Sequence, residues 1–307
     1  MTAKKNTKKS RARTVQHPQR RQKQPPRRFF AAAALAAVLL TVVLGALWLR
    51  ADNGGRSDAA DPGLVHVHGL GLNPANKALY IATHTGLWRL PRGAREPERV
   101  GESRQDTMGF TVFGPDRFLG SGHPDNVRQP PLLGLIESTD RGEDWDSISL
   151  LGEADFHVLR AVGGYVYGYD VTNARLMVST DEGRSWTEHR PPPVIDLAPN
   201  PTNPTYVVAS TEQGLLVSRD SGARWSPLGD GVGLLAWPVP KALYLVTGAG
   251  DVLLSDDGGR RWTRVGQIGG QPAALLAATE RTLYAAVHQG GIVGSRDGGR
   301  TWDAMTS

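Results

Sequence analysis

Six of the eight histidines in this 307-residue chain fall where an internal repeat brings them together: His66, His68, His84, His123, His157 and His288. Met108 and Asp170 occupy matching positions, whereas His17 and His189 stand outside the pattern. Such a set can hold a metal ion or move a proton. Imidazole with thioether suits copper, imidazole with carboxylate suits zinc, and the residue types leave both ions open. Neutral imidazole is the ligand in either case, so affinity should fall as pH drops through the histidine range. Any one of these histidines alone reads as an ordinary polar loop residue. Their recurrence at equivalent positions of neighbouring units is what points to a site.

The unit is set by five copies of Ser-x-Asp-x-Gly-x-x-Trp. These are Ser138, Asp140, Gly142 and Trp145; Ser179, Asp181, Gly183 and Trp186; Ser218, Asp220, Gly222 and Trp225; Ser255, Asp257, Gly259 and Trp262; and Ser295, Asp297, Gly299 and Trp302. The serines are 41, 39, 37 and 40 residues apart, a period typical of repeats in which each unit is one small antiparallel sheet. Ser and Asp can bond the backbone of a tight loop, Gly supplies a conformation other residues resist, and Trp covers the hairpin. Apolar runs such as Leu215-Leu216-Val217 precede the turns, so each turn joins a third strand to a fourth.

Matching Ala78 to His84 against Thr282 to His288, Ala242 to Gly248 and Thr205 to Ser210 reveals a further unit that lacks the turn. In it Gly86-Leu87-Trp88-Arg89-Leu90 takes the place of the run into the turn. The expected fold is all-β: a six-bladed β-propeller of four-stranded antiparallel blades at roughly 65–101, 106–150, 155–190, 194–228, 231–268 and 271–307. Closure should rest on packing of blade six against blade one.

In a four-stranded meander the start of strand one and the end of strand two share an edge. Strand two ends at His84, His123, Asp170, Ser210, Gly248 and His288 in successive blades, taking the last of these as blade six. Strand one starts at His68, Met108 and His157 in blades one to three, with His66 two residues before His68 on the same side. All these positive candidates face one mouth of the central channel. Asp106, Asp155 and Asp196 lie near the same edge and read as turn and strand-end caps. Glycoside hydrolysis at this mouth would need two facing carboxylates, and Asp170 is the candidate catalytic one.

Charge is divided unevenly along the chain. Lys and Arg number 35 against 30 Asp and Glu, but eleven of the basic residues and none of the acidic ones lie within residues 1–28. The rest is acidic and gives no reason to expect nucleic acid. Residues 1–28 read as a disordered cytoplasmic tail. Phe29 to Leu49 is uncharged, apolar and long enough to span a bilayer as one helix. With the positive charge before it, the amino terminus should stay inside and the propeller should stand outside the cytoplasmic membrane. Arg27-Arg28-Phe29-Phe30 resembles a twin-arginine export signal, yet Leu49-Arg50-Ala51-Asp52 is a poor cleavage site, which favours an uncleaved anchor. Residues 50–64 read as a linker and 65–307 as the propeller. Cysteine is absent, so a metal site must use His, Met or carboxylate.

The five turns resemble Asp-box (BNR) repeats, which occur in sialidases, sortilin-type receptors and photosystem assembly factors. His66-Val67-His68-Gly69-Leu70-Gly71-Leu72-Asn73-Pro74, Ala82-Thr83-His84-Thr85-Gly86-Leu87, Met108-Gly109-Phe110 and Ser121-Gly122-His123-Pro124 resemble exported bacterial Asp-box proteins labelled glycosyl hydrolases or sialidase-like. The resemblance implies the fold more strongly than any reaction. Sialidases would imply an arginine trio, a Tyr nucleophile paired with a carboxylate, an Asp acid and an Arg-Ile-Pro signature. The nearest string, Trp88-Arg89-Leu90-Pro91, falls on a third strand away from the channel, and Tyr165, Tyr167 and Tyr169 have no matching arginine trio. Sialidase activity is therefore disfavoured. The expected function is binding at the His-rich mouth, of a metal or of a ligand through one. The alternatives are a glycoside hydrolase acting on a glycan, and a scaffold for another exported protein.

Overall fold

The computed structural model describes residues 63–288 and 291–306. The expected tail, the membrane-spanning segment 29–49 and the linker as far as residue 62 lie outside them. Within them the chain forms six four-stranded antiparallel sheets, each built from one continuous stretch and paired in chain order. The first strands are Val67–Leu72, Asp106–Gly114, Phe156–Val162, Val194–Asn200, Gly233–Val239 and Pro272–Ala277. Each touches the first strand of the next blade, and the sixth touches the first, so together they ring the channel.

Second strands carry continuous apolar runs because they are covered on both faces by neighbouring blades. Leu79–Thr83 is buried at every position. Tyr167 and Tyr244 are fully enclosed and donate their hydroxyls to the next blade, to Pro204 O at 2.7 Å and Glu280 O at 2.6 Å. Fourth strands such as Thr187–His189 are largely exposed and form the rim. Among the described residues the ring closes without an exchanged strand. Leu70, Leu79, Ile81, Trp88 and Leu90 of blade one instead form one apolar cluster with Ala274, Ala286 and Ile292 of blade six.

The five Ser-x-Asp-x-Gly-x-x-Trp turns share one hydrogen-bond pattern. The Ser Oγ donates to the Asp Oδ1 at 2.7–3.0 Å and accepts the Gly N–H at 2.7–2.9 Å. The same Asp Oδ1 accepts a backbone N–H four residues on, for example from Ser185 to Asp181 at 2.8 Å. This ties off a loop that no sheet could pair. It also sets the glycine against the preceding blade. Gly183 has φ +86°, and a methyl there would lie 2.1 Å from Leu135 Cδ2; Gly142, Gly222 and Gly299 face Leu87, Leu176 and Val252 in the same way. The turn is thus both a hairpin and a joint between blades.

Two outcomes follow for stability. Gly183→Ala should destabilise the propeller by about 1–3 kcal/mol more than Gly93→Ala. Gly93 also has a left-handed φ, +86°, but open space around it, so denaturant unfolding of the pair separates the blade contact from backbone strain. Hydrogen bonds within the turns hold Asp181, Asp220 and Asp257 at about 2, below the ordinary 3.8. A depressed carboxylate contributes stability that is fully present above its ordinary value and is lost as pH falls through its folded value. Unfolding midpoints measured from pH 7 downward should stay level to about pH 4 and then fall towards pH 2. Asp181→Asn should flatten part of that decline.

Candidate functional site

The chemistry of the mouth depends on an irregularity in the innermost strands. In blades one, two, three, four and six the pairing of strand one with strand two skips one residue near the start of strand one. The skipped residues are His68, Met108, His157, Ile195 and Ala273. A bulge re-aims the extra side chain, and all five line a channel cavity of about 190 Å³ together with Leu234 of blade five. At these six positions the wall is therefore polar and polarisable across blades one to three and apolar across the rest, while the paired Arg160 and Asp196 also line the cavity.

Around the bulges two imidazole–carboxylate groups form. In the first, between blades one and two, His84 Nδ1 donates to Asp106 Oδ2 at 2.7 Å and His68 Nε2 lies 3.4 Å from Asp106 Oδ1. One ligand atom from each of His68, His84 and Asp106 can be chosen so that all three lie within 4.8 Å of one another. His68 Nε2 and Asp106 Oδ1 are both buried and neither has a hydrogen-bond partner. His66 packs its ring at 6.0 Å from that of His84. It is exposed, with a left-handed φ of 49°, an uncommon conformation for a non-glycine residue. His84 N–H is shared between the carbonyls of Val65 and His66, both at 3.2 Å, which fixes that approach.

In the second group, between blades two and three, Asp155 Oδ2 lies 3.0 Å from His157 Nε2 and 3.5 Å from His123 Nε2. The two groups adjoin, because Asp106 and His123 are direct partners across one strand pair.

Charges shift accordingly. Burial pushes the Asp106 carboxyl up, but its contacts with His68 and His84 outweigh that and hold it at about 2. The hydrogen bond to Asp106 raises His84 above 6.5 against the effect of burial. Burial lowers His66 below 6.5, assisted by repulsion from His68, His84 and His288. That last repulsion brings the exposed His288 of blade six into the electrostatics of the first group.

Met108 is 7% exposed and lines the channel rather than the outer mouth. Asp170 lies apart from both groups. It is fully buried and accepts four hydrogen bonds: from Asp155 N–H at 3.2 Å, Thr172 N–H at 3.1 Å, Asn173 Nδ2 at 2.8 Å and Arg175 Nε at 2.8 Å. These bonds outweigh burial and hold it below the usual carboxylate range. Asp170 thus positions Asp155 and keeps no lone pair for a ligand, which removes the reason to assign it metal or acid–base chemistry. Asp196 also has both oxygens bonded, by Arg160 at 2.5 Å and by the N–H groups of Leu197 and Leu235, although burial still pushes its carboxyl up. Asp106 and Asp155, read from sequence as caps, are the carboxylates that meet the histidines. The signal for them was present: each stands two residues before a bulge residue, as His66 stands before His68.

No family model matches the chain, and no curated protein matches it. Among solved structures, YCF48 bound to a D1 peptide is 16% identical over 79% of this chain and 81% of that one, with a TM-score of 0.52. The GH74 xyloglucanase from Xanthomonas campestris is 20% identical over 78% of this chain but 45% of its own length, with a TM-score of 0.53. A chain of a nidogen/laminin complex is 13% identical over 71% and 88%, with a TM-score of 0.56. At these identities the likeness is one of fold.

His84 and its neighbour His66 should titrate apart. In chelator-treated protein, histidine NMR should give His84 a midpoint above 6.5 and His66 one below it. Asp106→Asn removes the group that raises His84 and leaves burial, so its midpoint should fall below 6.5.

Proposed function

We propose that this propeller is a binding protein that takes a divalent transition-metal ion at the mouth of its channel, at His68, His84 and Asp106. The observation that carries the reading is the pair of buried, unpartnered atoms His68 Nε2 and Asp106 Oδ1, 3.4 Å apart. Unmet buried polar atoms are costly. Two ligands at 2.0–2.1 Å from a tetrahedral ion lie about 3.4 Å from each other, so one ion would satisfy both. His84 becomes the third ligand on releasing its proton, and its raised affinity for that proton makes uptake weaken as pH falls. Three protein ligands leave a coordination position open towards solvent, where a further ligand could bind. Copper and zinc both fit imidazole and carboxylate donors. In this reading residues 29–49 anchor the chain in the cytoplasmic membrane and display the mouth outside it.

A second reading is that the mouth takes a peptide segment of another exported protein. It is favoured by the D1 peptide bound to YCF48, a propeller of similar fold. A glycan and its hydrolysis gain less support, since the Asp170 carboxylate is saturated within the protein.

Calorimetric titration of the tag-free, chelator-treated full chain with Zn²⁺ and with Cu²⁺ tests the first reading. His68→Ala and Asp106→Asn should each weaken uptake by about tenfold or more. Thermal unfolding should change little in His68→Ala, which touches no turn. No uptake of either ion, or unchanged affinity in both variants, overturns the reading and leaves the peptide ligand, to be sought by chelator-insensitive capture of an exported partner.

A further inference from the structure

We infer that the seam between blades six and one carries a second binding site, towards the face opposite the mouth, for a small aromatic carboxylate.

The site lies at the one joint where the repeat is broken. Elsewhere the turn of one blade seats on the third and fourth strands of the blade before it. Gly183 faces Leu135, and its carbonyl accepts the Ser149 hydroxyl at 2.6 Å. Gly142 faces Leu87, and a methyl on Gly101 would lie 2.6 Å from the carbonyl oxygen of Glu143. Gly299 faces Val252, and a methyl on Gly266 would lie 2.1 Å from its carbonyl oxygen. Blade one has Pro91-Arg92-Gly93-Ala94-Arg95-Glu96-Pro97 at that place, with neither the serine–aspartate clamp nor the tryptophan. A methyl added to its Gly93 would meet nothing within 4 Å. A cavity of about 250 Å³ remains, between Ala94 and Arg95 of this turn and Tyr284, Arg296, Asp303 and Met305 of blade six.

Tyr284 gives the second, independent observation. Tyr167, Tyr244 and Tyr284 occupy one equivalent position, each following the residue that pairs with a turn serine. The first two are enclosed and donate to a carbonyl of the next blade. Tyr284 faces the broken joint. It is half-buried, and its hydroxyl has no hydrogen-bond partner among the described residues.

The walls define the ligand. Ala94, Met305 and the Tyr284 ring pack against the apolar cluster that closes the propeller, so the inner surface is apolar. A cavity of about 150 Å³ takes a benzene ring, and the larger space here has room for a bicyclic one. The Met305 thioether, on an unbranched chain, can adjust to an aromatic face. At the edge stand Arg95 and Arg296, both exposed and neither in an ion pair among the described residues. Asp303 is the one carboxylate on the wall, so two guanidinium groups against one acid leave the edge positive. Guanidinium binds carboxylate with two parallel hydrogen bonds, and the Tyr284 hydroxyl adds a donor. No residue is shared with the channel mouth, so the site stands or falls separately from any metal there.

The test is a titration of the chelator-treated full chain with indole-3-acetate, followed by the methyl resonances of carbon-13-labelled methionine. The chain has four methionines, so Met305 is readily assigned. Its methyl should shift saturably while those of Met108 and Met177 stay in place. Affinity should fall by about tenfold or more in the double variant Arg95→Ala, Arg296→Ala, whose side chains hold no fold contact that charge-assisted bonding to the ligand would mimic. Tryptamine, the cationic counterpart, should bind more weakly by a similar factor. Ala94→Trp places a ring in the cavity and should abolish the shift; should that variant not fold, the arginine variant decides. Absence of a saturable Met305 shift, equal shifts at all the methionines, or wild-type affinity in the arginine variant would each overturn the site.

Discussion

A buried serine hydroxyl sits at five of the six joints between blades, and the way it divides its hydrogen bonds sets the geometry of the ring. Ser138, Ser179, Ser218, Ser255 and Ser295 are at most 2% exposed. Each accepts the N–H of the turn glycine and donates to the turn aspartate. Left without that acceptor, each buried amide would cost about 1–3 kcal/mol. The bond holds the glycine where its missing side chain makes room for an apolar group of the blade before. Blade one lacks the turn, and its seam with blade six is sealed by an apolar cluster, with Ala94 and Met305 packed against it. Angular spacing is thereby repeated five times by one device and closed once by another.

With the blades so fixed, six equivalent positions face the channel and side-chain identity alone decides its chemistry. His68, Met108 and His157 stand on one side, and Ile195, Leu234 and Ala273 on the other. The backbone provides the same bulge in five of the six blades, so polar groups can occupy one sector without disturbing the scaffold. The sector is extended by the strand-two ends His84 and His123 and, towards blade six, by His288. A ligand entering the mouth therefore meets titratable groups over about half the circle and, apart from the paired Arg160 and Asp196, apolar wall over the rest.

The blades, their order and the meander within each were legible in the sequence because each rests on local signals repeated at a nearly constant period. So was the convergence of His66, His68, His84, His123 and His157, since edge positions follow from strand order. What could not be read was which carboxylates join them. Asp170 shares the strand-two position with His84 and His123, but Asn173 and Arg175, three and five residues on, fold back and saturate it. Asp106 and Asp155 look like strand-end caps until the bulge beside each turns the neighbouring side chain into the channel. A bulge leaves little trace in a short repeat, because one inserted residue is absorbed by the variation in blade length. The hydrogen bond from His123 Nδ1 to the carbonyl oxygen of Pro131 depends on a loop between the second and third strands of blade two that has no counterpart of similar length in blade one.

Four buried or half-buried carboxylates near this edge make the final contrast. Asp170 and Asp196 each have both carboxylate oxygens hydrogen-bonded, which is what folding stability alone would select. Asp106 and Asp155 each keep one buried oxygen without a partner and turn the other towards imidazole. Stability does not explain that pattern, because one well-placed amide, of the kind that serves Asp196, would remove the cost. The two unsaturated carboxylates stand in adjacent blades, both at the His-bearing sector and neither on the apolar side. Among these four carboxylates the unmet demand falls only in the His-bearing sector, where His68 Nε2 is also unpartnered; that is the pattern the proposed cation site would produce, and the surrounding ring supplies the rigidity that keeps it from collapsing.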